Sequence, residues 1–221
     1  MSFPRWTRSP LSRLVRRLTL PTIVLPAVGY YARMQVAGLE HIERLDQPVV
    51  FAANHQSHMD TPAIYRALPA RLRYRIAPAM AKEVFSSSFG NQLQYRLACQ
   101  CFNAFPLPQR ESPRAALRYM RELVDLGHSI LIYPEGRRTP ALLPFRRGVG
   151  MLAIHLNLPV IPIRLEGLDR VLGREARWPT RGPVQVTFGA PLLAGDDDSE
   201  AFTARIEAAV HALGPRLVLR R

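Results

Sequence analysis

Apolar residues fall along this chain in short blocks separated by polar turns and amphipathic stretches. Seven blocks read as strands: 34–36, 49–53, 74–77, 99–105, 129–133, 160–165 and 184–188. Several are continuous rather than alternating, the pattern of strands buried on both faces. Between them lie helical patterns. The clearest runs from Ser112 to Gly127. Ser112 can cap, Pro113 suits the first turn, Gly127 suits the stop, and Ala116, Leu117, Met120, Leu123 and Val124 share one face. A second spans 199–213, with Phe202, Ile206, Ala209 and Val210 facing the core and Gly214-Pro215 ending it. Asp196, Asp197 and Asp198 precede this helix and favour its N-terminus rather than a metal ion. The alternation of strands and helices predicts an α/β layered domain.

The first 33 residues differ from the rest. They carry Arg5, Arg8, Arg13, Arg16, Arg17 and Arg33 and no acidic residue, around an apolar stretch, 18–32, that is broken by Pro21 and Pro26. That stretch is shorter than the roughly 20 residues of a membrane-spanning helix. A charged start before an apolar run also allows a signal peptide, but no clean small-residue cleavage site follows. The arm is expected to lie in the membrane surface, arginines on headgroups, with Trp6, Leu11, Leu14, Val15 and 18–25 dipping into the acyl boundary. The alternative is a helix packed on the domain's own core. Residues 1–33 are therefore read as the arm and 34–221 as one domain, a size that fits 221 residues in all.

Composition sharpens the picture in two ways. The net charge is +13 and Lys82 is the sole lysine, so the partner is anionic: lipid headgroups, phosphorylated substrates or nucleic acid. No nucleic-acid motif is evident and aromatics are 8%, which argues against nucleic acid. The two cysteines, Cys99 and Cys101, alternate in the block read as a strand, so they should not pair, and no ligand pattern suggests a metal. A reducing compartment is the simplest setting.

Two blocks empty directly into polar clusters, and in open α/β sheets ligands bind at the carboxyl ends of strands. After 49–53 comes Asn54-His55-Gln56-Ser57-His58-Met59-Asp60-Thr61-Pro62. On a regular helix His55 and Asp60 would point about 140° apart, so they meet only if the chain turns between them. Such a pair is a general base for a hydroxyl: the imidazole takes the proton, and the carboxylate fixes its tautomer. His58 is a competing base, and the plain structural alternative has Asp60 capping a helix. After 129–133 comes Pro134-Glu135-Gly136-Arg137-Arg138-Thr139, then Phe145-Arg146-Arg147-Gly148. Gly136 permits a tight turn, Arg138 can grip phosphate bidentately, and Glu135 can fix Arg138 or an acceptor glycerol. Phe105 to Arg110 ends another block, with Arg110 a further phosphate anchor, and Pro159-Val160-Ile161-Pro162 brackets a buried strand.

The order of these clusters resembles the glycerolipid acyltransferases, whose best-known members act on lysophosphatidic acid. Asn54 to Asp60 resembles the N-H-x4-D signature, Phe105 to Arg110 the second block, Tyr133 to Thr139 the third, and Pro159 to Pro162 the fourth. The departures are Arg137 for the usual Thr, Thr139 for Ser, Arg146 for Lys, and Pro108-Gln109 where an acidic residue often precedes the Arg. The resemblance implies a mixed, largely parallel sheet flanked by helices. It implies His55 as catalytic base, Asp60 as its partner, and Arg110, Glu135, Gly136 and Arg138, with Asn54 and Ser57 of the first block, as substrate-binding residues. It implies transfer of a fatty acyl group from acyl-CoA or acyl-carrier protein to a lysophospholipid, foremost 1-acyl-glycerol-3-phosphate. Another lysolipid, such as a lyso-aminolipid, is the alternative acceptor. No cofactor, metal or nucleic acid is implied, and the expected location is the cytoplasmic face of a membrane, peripheral or monotopic.

Overall fold

The computed structural model describes residues 3–81, 89–107, 114–173 and 175–215. Its strands are β1 (Ala32–Ala37), β2 (Val50–Ala53), β3 (Ile76–Ala81), β4 (Phe105–Leu107), β5 (Ser129–Ile132), β6 (Val160–Glu166) and β7 (Gly182–Phe188). They form one sheet in the order β1-β7-β6-β2-β5-β3-β4. Every neighbouring pair is parallel except β6 with β7. The sheet is thus mixed and largely parallel. The helices are α1 (Pro10–Thr19), α2 (Leu25–Tyr31), α3 (Asp60–Ala67), α4 (Ala70–Arg73), α5 (Phe89–Phe102), α6 (Arg114–Asp125), α7 (Gly148–Leu156), α8 (Leu168–Leu172) and α9 (Ser199–Ala212).

The continuous apolar blocks are strands that feed two cores at once. Val50 and Ala52 of β2 join Ile130, Ile132 and Val160 in a core roofed by α6, α7 and α9. Phe51 and Ala53 join Leu131, Ile161 and Ile163 in a second core on the other face, roofed by α2 and α3. Side chains alternate across a strand, so each face of these central strands needs its own apolar partner.

Two expectations need correction. The block 99–105 is not a strand: Cys99 and Cys101 belong to the last turn of α5, and only Phe105–Leu107 pairs in the sheet. Tyr95 and Cys99 are both buried, four residues apart on one helical face, and Asn103 follows at φ 55°, the left-handed stop of the helix. Seven residues of mixed apolar character cannot by themselves separate a helix end from a strand. The cysteines are free, as expected, but because they sit on a helix rather than on opposite faces of a strand. The third block also begins later than predicted, at Ile76.

The N-terminal arm is helical from Pro10 to Tyr31, with a π-turn at Leu20–Val24 joining α1 to α2. Pro21 has no N–H to give the preceding turn, and a wider turn there lets the helix continue. One face packs on the domain: Leu20, Leu25 and Val28 are buried in the core with α3. The opposite face leaves Leu11, Leu14, Leu18 and Ile23 more than half exposed. One face of this segment thus packs on the domain's own core, and the other is left to solvent. No helix among the described residues is long and apolar enough to cross a membrane. At the far end, Asp198 caps α9, its Oδ1 accepting the N–H of Glu200 and of Ala201 at 2.9 and 2.8 Å.

Candidate active site

β2 and β5 lie side by side and parallel, so both polar clusters open at the same edge of the sheet. After Ala53 the chain curls around one carboxylate. Asp60 is the first residue of α3 and fully buried, and its Oδ2 accepts the N–H of Gln56 at 2.7 Å and of Ser57 at 3.0 Å. The same oxygen sits 2.6 Å from Nδ1 of His55. The turn that spacing demanded is thus built by the carboxylate itself. The helix starts at Asp60 itself, so Pro62 stands third in it.

With Nδ1 held by the carboxylate, that nitrogen carries the proton and Nε2 keeps a lone pair. The His55 side chain is 21% exposed, against 0% for Asp60. An imidazole at the surface, oriented by a buried carboxylate, is the arrangement of a general base. Tyr133, the residue after β5, stacks on it with ring centroids 4.1 Å apart, and its hydroxyl meets Thr61 Oγ1 at 2.8 Å. Sequence reasoning gave Tyr133 no role. The signal was an aromatic residue one step past a strand that runs beside β2.

Glu135 is 4% exposed and joins the two loops. One oxygen accepts the His55 N–H at 3.0 Å and the other the Leu143 N–H at 3.2 Å. Burial, foremost, pushes its carboxyl up to about 7, and the Asp60 charge adds to this, while the two N–H bonds and Arg164 pull the other way. A second tie runs from the Thr139 N–H to the His55 carbonyl at 2.9 Å. Glu135 therefore sits under the histidine as a clamp between loops. Gly136 takes φ 72°, and a Cβ there would lie 2.5 Å from the Arg146 guanidinium carbon. Its bare backbone lets Arg146 lie flat against the turn.

Arg138 Nη1 is 2.5 Å from Nδ1 of His58. Arginine only donates, so His58 accepts and is neutral. Burial, then Arg138 and His55, hold its pKa down to about 4. His58 thus spends one nitrogen on positioning Arg138 beside the His55 turn, which sets it apart from His55 as a base.

Asn54 and Ser57 are both fully buried. Asn54 Nδ2 donates to the Leu165 carbonyl at 3.0 Å and its Oδ1 accepts the Leu165 N–H at 2.7 Å. Ser57 Oγ donates to the Leu172 carbonyl at 2.5 Å. The substrate contact expected of these two is corrected to a positioning one: their polar atoms stitch the β2 loop to β6 and α8. The Gly136 N–H, a candidate oxyanion donor, is likewise committed, to the Tyr133 carbonyl at 3.1 Å. Arg110 lies outside the described residues, as do Ser112 and Pro113.

A buried carboxylate thus orients a partly exposed imidazole, a tyrosine stacks on that ring, and Arg138 stands beside the same strand ends. Residues 33–166, more than half of the chain, match the family model described as Acyltransferase, and the chain belongs to that family. Among curated proteins it is 29% identical over 175 residues to 1-acyl-sn-glycerol-3-phosphate acyltransferase BAT2, chloroplastic, of Brassica napus, covering 76% of this chain and 47% of the relative. It is 28% identical over 169 residues to the human 1-acyl-sn-glycerol-3-phosphate acyltransferase alpha, covering 74% and 56%. The chain spans about half the length of these curated relatives. Among solved structures, the 1-acyl-sn-glycerophosphate (LPA) acyltransferase PlsC from Thermotoga maritima superposes with a TM-score of 0.67 at 19% identity, over 95% of this chain and 97% of that one. The mixed, largely parallel sheet with its flanking helices is therefore that fold.

Proposed function

We propose that this chain transfers a fatty acyl group from a thioester to the free hydroxyl of a lysophospholipid, foremost 1-acyl-glycerol-3-phosphate, giving phosphatidic acid. The observation that carries the proposal is the 2.6 Å contact of His55 Nδ1 with a fully buried Asp60. The acceptor hydroxyl donates its hydrogen bond to His55 Nε2. As its oxygen attacks the thioester carbon, the proton passes to Nε2, and Asp60 stabilises the imidazolium that forms. Collapse of the tetrahedral intermediate breaks the carbon–sulfur bond, and the imidazolium returns the proton to the leaving thiolate. No enzyme nucleophile takes part. Arg138, with Arg110, holds the acceptor phosphate; a guanidinium fork suits that group. The donor is acyl-CoA or acyl-carrier protein.

The exposed face of the N-terminal helices supports work at a bilayer. Leu11, Leu14, Leu18 and Ile23 present an apolar stripe. The proposed location is peripheral or monotopic, on the cytoplasmic face. The purified chain, supplied with acyl-CoA and a panel of lysolipids, should acylate lysophosphatidic acid in preference to the others, as read by mass spectrometry of the lipids. A lyso-aminolipid product in its place would move the acceptor. No acylated lipid from acyl-CoA or acyl-carrier protein would defeat the reading.

A further inference from the structure

A cavity of about 830 Å³ lies away from His55. Its walls include Gln47 just ahead of β2, Arg75 just ahead of β3 and Ser129, the first residue of β5. It thus opens at the amino ends of the strands. The length of β5, about 13 Å at 3.3 Å per residue, separates it from the His55 edge. We propose that this cleft is a second ligand site, one that binds a phosphate group, and it stands whether or not the His55 site transfers acyl groups.

The charge of the cleft is one-sided. Arg8, Arg13, Arg16, Arg17, Arg71 and Arg75 line it, against the single carboxylate of Asp46. Two of these guanidiniums are fixed in place without being neutralised. Arg16 is 5% exposed, and it donates Nε to the Gln100 carbonyl at 2.8 Å and Nη2 to the carbonyls of Thr7 at 3.1 Å and Cys99 at 3.3 Å. Arg71 donates Nη1 to the Leu45 carbonyl at 2.6 Å and Nη2 to the Ile42 carbonyl at 3.0 Å. Carbonyl oxygens orient a guanidinium but leave its charge uncompensated, and a buried cation without a counter-charge is costly. Among the described residues Arg13, Arg17 and Arg75 have neither hydrogen-bond nor ion-pair partners from their side chains, so their forks are available. Among the described residues of the cleft wall, only Arg8 reaches a carboxylate, Glu122 at 3.5 Å. The same wall holds His128, whose buried Nδ1 has no partner. Burial, followed by Arg16, Arg13, Arg8 and Arg75, holds that ring's pKa down to about 4, as a pocket of uncompensated positive charge requires.

Fixed and free guanidinium forks that far outnumber the carboxylates around them are the chemistry of phosphate recognition. The volume leaves room for an organic portion, and Leu45, Leu72 and Leu126 supply an apolar wall for it. The phosphate therefore belongs to an organic mono- or diester, carried by a lipid headgroup or by a soluble molecule.

The test uses the full chain and two probes: pyrophosphate, read by calorimetry at low salt, and phosphatidylcholine vesicles with or without phosphatidylglycerol, read by co-sedimentation. The cleft variant is Arg13→Gln/Arg75→Gln. Both residues are exposed and unpartnered, so the fold should persist, as circular dichroism will show. The control Arg118→Gln/Arg177→Gln removes the same charge from exposed positions outside the cleft. The cleft variant should bind at least one probe about tenfold more weakly than the unmodified chain, while the control stays close to it. Loss of pyrophosphate binding assigns a soluble phosphate; loss confined to phosphatidylglycerol vesicles assigns a headgroup. Equal weakening in the control, loss in Arg138→Gln alone, or binding of neither probe by the unmodified chain would overturn the site.

Discussion

The Asp60 carboxylate has two tasks, and separating them shows what each substitution should do. It orients His55, and it gathers the N–H groups of Gln56 and Ser57 that shape the turn. His55→Ala removes the base and leaves the turn, so turnover should fall by about 10³-fold or more with the melting temperature nearly unchanged. Asp60→Ala should lose activity and also stability, because buried N–H groups are left without acceptors, at about 1–3 kcal/mol. His58→Gln should retain most of the turnover, since His58 only accepts from Arg138. A His58→Gln enzyme as dead as His55→Ala would make His58 the base. Glu135 gives a pH signature. Its folded pKa, about 7, lies above its ordinary 4.5, so the fold favours the protonated form. Its contribution is full below 4.5 and declines as pH rises through 7. The melting temperature of the unmodified protein should therefore drop relative to Glu135→Gln between those values and run parallel above them; a gap that ignores pH would place the titration elsewhere. The pairing of His55 with Asp60 was legible because only a turn lets residues at that spacing meet. The structural duty of Asn54 and Ser57 was not, because their partners, Leu165 and Leu172, lie over a hundred residues away and no local pattern points to them.

At the scale of elements, the site is an edge held by cross-links between loops. Asn54 ties the end of β2 to β6 through both hydrogen bonds of Leu165, all of it buried. Asn54→Ala strands a buried N–H and C=O and should cost about 1–3 kcal/mol by chemical denaturation, with activity falling further as the His55 turn loosens. Asn54→Ala at full stability would mean the loops are held elsewhere. Gly136→Ala combines a left-handed backbone with a collision against Arg146, so its effect should fall on the turn before the rest of the fold. Strands buried on both faces were readable as apolar blocks because each of the two cores takes apolar side chains from alternate positions. The last turn of α5 was misread as a strand because the described part of its buried face carries Tyr95, Ala98, Cys99 and partly buried Phe102, too few positions to fix a period. The antiparallel pairing of β6 with β7 could not be read from those strands alone, since it depends on where the chain returns after α8.

Over the whole molecule, the chemistry and the basic cleft occupy opposite ends of one sheet, and the N-terminal helices run along it with an apolar face outward. Leu14 and Leu18 are 55% and 58% exposed, so Leu14→Asp/Leu18→Asp should weaken binding to vesicles while the melting temperature holds. Leu20→Asp buries a charge in the core and should unfold the protein instead. Vesicle binding unaffected by the paired substitution would move the membrane contact away from α1. All of these claims depend on whether the imidazole at the end of β2 drives acyl transfer. The most direct measurement is acceptor-dependent release of thiol from acyl-CoA, followed with a thiol reagent in the purified protein and in His55→Ala. Release should require lysophosphatidic acid, match the phosphatidic acid formed, and vanish in His55→Ala. Equal, acceptor-dependent release in both proteins would contradict it.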